Sequence, residues 1–142
     1  FFSSLVCSSL SISCLMSETD TRDEAADWII KNIRPRSRIG VVHCLYEAPP
    51  VSKYRYSVVE TGYSCSRIAE VKEGVDYFIF RGIDNYRNSS SYYEKCIGNN
   101  FEILKELERD PCFLGFCVSR AYYNQQEFTW LQPRIIIFKR RG

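Results

Sequence analysis

Histidine and methionine each occur once in this chain, as His43 and Met16. Glycines are scattered, no Cys-x-x-Cys pair is present, and no apolar run is long enough to cross a bilayer. Each shortage removes a class of function. His43 sits between Val42 and Cys44 in a strand-like stretch, so alternation points its ring and the neighbouring thiol to opposite faces and prevents a direct Cys-His pair. The reading is a partly buried strand histidine with a backbone partner. Cys112 and Cys117, taken within one strand, lie on opposite faces ~17 Å apart and share neither zinc nor a disulfide. Gly62, Gly74, Gly82, Gly98 and Gly115 form no phosphate loop. No catalytic residue, metal, cofactor or membrane partner is expected. Charge of one sign is also short: the net charge of +2 gives little field to draw a polyanion.

What is present is ordinary globular material with an aromatic excess. The 142 residues suit one domain, able to bury roughly two thirds of the surface exposed by the unfolded chain. Ten Tyr and nine Phe favour strands and surfaces that stack or bind. Residues 1–15 are uncharged and precede Met16, where a polar, acidic stretch begins. They read as a leader or artefact outside the fold, and residues 16–142 as a single α+β domain. The five cysteines beyond Cys14 have no framework spacing, which points to free thiols in an intracellular, cytoplasmic protein. Were residues 1–15 the remnant of a signal peptide, the protein would be secreted.

Along the chain, Thr21 and Glu24 have capping-box spacing and open a helix ending near Ile33, before Arg34-Pro35. A strand with two buried faces follows from about Arg38. Lys53 to Thr61 reads as a second strand, and Arg67 to Lys72 with Val75 to Arg81 reads as a hairpin turning at Glu73-Gly74. Ile97, Phe101, Leu104 and Leu107 have helical spacing, which predicts an amphipathic helix running to Asp110-Pro111. The apolar stretch from Cys112 to Tyr122 then reads as a central strand. Phe128 to Lys139 reads as a last strand, with Pro133 marking an edge or a bulge. The order αββββαββ implies an antiparallel or mixed sheet of about six strands, covered on one face by two helices.

Basic residues interleaved with aromatics are the remaining functional signal. Arg34, Arg36 and Arg38 form one cluster beside Lys31, Lys53-Tyr54-Arg55-Tyr56 forms another, and the chain ends Lys139-Arg140-Arg141. Tyr122, Tyr123 and Arg81 complete the candidate binding residues. A Tyr-rich and Arg-rich face suits a protein interface, and the first reading is a non-enzymatic binding or adaptor module with a protein partner. The second is RNA or single-stranded nucleic acid binding, in which cations neutralise phosphates and rings stack bases. A small transferase-like enzyme using the region from Arg81 to Asn100 is the third. Convergence of Lys31, Arg34, Arg36, Lys53, Arg55 and the terminal basic residues on one face would separate the first two.

Overall fold

The computed structural model describes residues 10, 13–14, 17–42, 48–62, 64–81, 95–109, 112–114, 116–117 and 134–142. Helix α1 (Thr21–Asn32) leads into β1 (Arg38–Val42) and β2 (Ser57–Glu60); α2 (Cys65–Val71) then leads into β3 (Tyr77–Arg81). Further on lie β4 (Phe101–Leu107), the short strands β5 (Cys112–Phe113) and β6 (Phe116–Cys117), and β7 (Ile135–Arg140). The main sheet has five strands in the order β2-β1-β3-β7-β4. β1 pairs in parallel with both β2 and β3, while β7 runs antiparallel to β3 and β4. The sheet is therefore mixed, with its first three strands parallel to one another.

The sheet is buried on both faces. Ile39 and Val41 of β1, Ile79 of β3 and Ile135 and Ile137 of β7 pack against Ala25 and Ile29 of α1 and Ile33 just beyond it. Val42, Phe78, Phe80, Ile136 and Phe138 point the other way, against Ile68 of α2 and Cys96 and Ile97. The helices thus cover opposite faces rather than one, because interior strands such as Ile135–Phe138 are apolar on both alternations and need cover on each side.

Each misread element has a physical cause. The segment expected as strand Arg67 to Lys72 is α2, since Cys65, Ile68 and Val71 recur every three residues and turn one apolar face to the sheet. The expected helix after Ile97 is β4. A register shift between Ile103 and Lys105 breaks its alternation, so that Phe101 joins the core under α2 and Leu107 the core under α1. A bulged edge strand serving two cores thereby reproduces helical spacing. Its outward residues Glu102, Lys105 and Glu106 keep that edge charged. β7 lies between two partners rather than at an edge, and Pro133 falls before its first residue. Instead of one central strand, β5 and β6 pair as a separate two-stranded hairpin turning at Leu114, whose φ is 48°.

The cysteine reading also changes. Cys65 and Cys96 form a disulfide with Cα atoms 5.0 Å apart, tying α2 to the segment before β4. Cys112 is disulfide-bonded as well, and its direct cross-strand partner is Cys117. A turn between the two residues brings together positions that one continuous strand would hold far apart. The expectation of free thiols stands corrected at Cys65, Cys96 and Cys112. Cys14 is a free cysteine. No described helix is long and apolar enough to cross a membrane.

Candidate functional site

The end of α1 positions the candidate site. Asp20 caps the helix start by accepting from Arg22 N at 2.8 Å, so Asp20 takes the capping role expected of Thr21. At the other end, side chains donate to carbonyls in and just beyond the last turns: Tyr56 gives its hydroxyl to Ile29 O at 3.2 Å and Ile33 O at 3.4 Å, Arg55 donates to Ile30 O at 3.2 Å, and Asn32 to Trp28 O at 2.8 Å. The chain then leaves the helix through Arg34-Pro35-Arg36-Ser37, where Ser37 N donates to Arg34 O at 3.2 Å. This turn forms one wall of a groove.

The opposite wall is the end of β7, and the floor is the start of β3. Asp76 joins three strands there: its carboxylate accepts from Arg38 N at 2.7 Å, its N–H donates to Arg38 O at 2.8 Å, and its carbonyl accepts from Arg140 N at 2.9 Å. The groove encloses about 620 Å³, and its cationic side chains are Arg34, Arg36, Lys139, Arg140 and Arg141, with Asp76 as the single acid. Tyr77 supplies a half-buried ring to the lining.

These cations are not equally committed. Arg140 is held by the structure: its guanidinium lies 5.7 Å from the Phe101 ring centroid, donates to Lys72 O and stands 3.6 Å from Glu73. Arg141 has a loose neighbour in Glu102 at 3.8 Å. Arg34, Arg36 and Lys139 are exposed and make no ion pair among the described residues. Three free cations therefore face one groove, with one carboxylate already engaged by backbone.

The other candidate residues are distributed elsewhere. The side chain of Arg38 lies against Gly74, beyond α2, and does not line the groove. Lys53 pairs with Glu60 at 2.9 Å on a separate small hollow lined also by Val41, Pro49 and Val58. Arg55 is near the groove through its carbonyl, which accepts from Arg36 N at 2.8 Å, but its guanidinium serves α1 and lies 5.9 Å from the Tyr56 ring centroid. Tyr54, next to Arg55, is fully exposed, whereas Tyr56 is buried in the core under α1. Arg81 is buried at the far end of β3. His43, Tyr122, Tyr123 and residues 82–94 lie outside the described residues.

Ser37, Asp76 and Tyr77 belong to the groove but carry no functional signal in sequence, since one acid before a strand is common. Among the described residues there is no cluster of three or more His, Cys, Asp or Glu side chains arranged to hold a metal ion. Comparison with known proteins finds no matching family model, no matching curated protein and no matching solved structure.

Proposed function

We propose that this chain is a non-enzymatic binding module for a polyanion, with single-stranded nucleic acid as the ligand of the basic groove. The supporting observation is the meeting of Arg34 and Arg36 with Lys139 and Arg141, residues from opposite parts of the sequence, around one groove with a single acid. A helix terminus attracts cations by itself, and that accounts for Lys31 and Arg55 beside the last turn of α1. It does not account for Lys139 at the end of β7. Phosphates spaced along a strand suit a groove of separated cations, and the exposed ring of Tyr54 next to Arg55 offers a stacking surface. The protein-partner reading relied on several tyrosine anchors; of these, Tyr56 faces the core, and Tyr54 alone is exposed among the described residues.

The test is titration of a fluorescein-labelled oligouridylate by anisotropy across about 50 to 200 mM salt. Three to four phosphate contacts give a log-log salt slope of about −2 to −3 for a single strand. Joint substitution of Arg34→Ser and Lys139→Ser removes about 1.4 from the steepness of that slope. Tyr54→Ala weakens binding about 5- to 100-fold without altering the slope. Salt-independent binding, or a double variant that binds like the wild type, refutes the assignment.

A further inference from the structure

The wall formed by Arg34 to Ser37 has the bonding of a type II turn, with Pro35 in its first central position and Arg36 in its second, where φ is 68°. That second position ordinarily takes glycine or asparagine, because a β-carbon in left-handed backbone crowds the following carbonyl. The turn has little room to relax. Arg36 N donates to Arg55 O at 2.8 Å, the Ser37 hydroxyl to Arg34 O at 2.7 Å, and Ser57 N to Ser37 O at 3.1 Å. The segment entering β2 thus holds Arg36 in a conformation its side chain disfavours. Nothing local repays this, since the guanidinium has no hydrogen bond or ion pair among the described residues. Arg36 lines the basic groove, opposite Lys139.

We propose that Arg36 is the residue by which the groove grips a phosphodiester of single-stranded nucleic acid, and that the fold retains its left-handed backbone for that contact at the expense of stability. The inference rests on the groove being a nucleic acid site. A guanidinium presents paired donors to two phosphate oxygens at once, which an ammonium cannot do. A turn held by its own hydrogen bonds and by Arg55 and Ser57 presents that fork without first having to order itself, so less binding free energy is lost on association.

Two readouts with opposite signs test this: thermal unfolding without ligand, and anisotropy titration of the fluorescein-labelled oligouridylate. Arg36→Gly and Arg36→Asn each raise the melting temperature by about 2–4 °C, because either residue accepts the left-handed backbone. Each weakens binding about 10-fold or more, the loss typical of a charged hydrogen-bonded contact. Arg36→Lys keeps the wild-type melting temperature, loses part of the affinity and preserves the salt slope, since charge remains while the fork is lost. A melting temperature that falls in both the glycine and asparagine variants overturns the strain argument. Wild-type affinity in those two variants, while Arg34→Ser with Lys139→Ser loses binding, overturns the role of Arg36 and leaves the groove standing. Absence of oligouridylate binding by the wild type at low salt overturns both.

Discussion

Phe78 fills the space that a side chain on Gly40 would occupy: the two residues are register partners on β3 and β1, and a β-carbon at Gly40 would overlap the ring. The same ring meets Phe101 at 5.1 Å and Phe80 at 5.9 Å between centroids, so it has little freedom to move aside. Gly40→Ala is expected to destabilise the fold by about 1–3 kcal/mol through overpacking, and Gly40→Val by more. Urea denaturation measures this. Unchanged midpoints in both variants would show that the aromatic cluster is looser than its geometry implies.

The Cys65–Cys96 disulfide closes a separation of 31 residues and lies against the core under α2. On the chain-entropy account, a loop of that length stabilises the folded state by about 3–4 kcal/mol. Denaturation with and without reductant should therefore give clearly different midpoints, and the unreduced Cys65→Ala, Cys96→Ala double variant should lose about 3–4 kcal/mol relative to the unreduced wild type. Thiol titration of the unfolded, unreduced protein should leave these two cysteines unreactive. Full reactivity there, together with coincident midpoints, would argue for a reduced pair.

Burial opposes ionisation of Asp20, but hydrogen bonds from the side chain and backbone of Arg22, with its positive charge, outweigh burial and hold the carboxyl below its ordinary value. Its folded-state value is thus below its unfolded one, so its contribution is complete above the ordinary carboxylate range and is lost as pH falls through the depressed value. Acid should weaken the start of α1 accordingly. Asp20→Ala should remove that dependence and cost about 1 kcal/mol at neutral pH, the usual loss on deleting a helix cap. Asp20→Asn, which still accepts a hydrogen bond, should retain most of the neutral-pH stability while losing the acid response. Parallel pH profiles for wild type and Asp20→Asn would contradict this.

Sequence reasoning located α1, β1, β2, β3 and β7 because their signals are local: a capped apolar face, runs buried on both sides, and prolines or glycines between them. It failed where one pattern serves two geometries. In β4 the shift after Ile103 moves Leu107 to the face opposite Phe101, and a spacing of three and four results without any helix. In α2 about two helical turns were too short for the period to stand out against strand alternation. Parallel pairing of β1 with β2 and β3 depends on long-range packing and leaves no local mark. Of the groove, Arg34, Arg36 and the terminal cations were legible as charge clusters. Their meeting was not, because it requires β7 to lie beside β3 and bring Lys139 opposite Tyr77.

The insertion of β7 between β3 and β4 has a kinetic consequence. β3 and β4 are separated by a strand position that only residues 135–140 fill in this sheet, and the side chains of that segment enter both cores. Ile136 and Phe138 complete one core, Ile135 and Ile137 the other, so neither can close around a partly formed sheet. As the ribosome releases the chain, β1, β2 and β3 can associate early, while Phe101, Leu107 and the exposed flank of β3 wait for a strand more distant in sequence. During that interval the unpaired edge of β3 and the uncovered rings of Phe78 and Phe80 leave the nascent chain open to aggregation there.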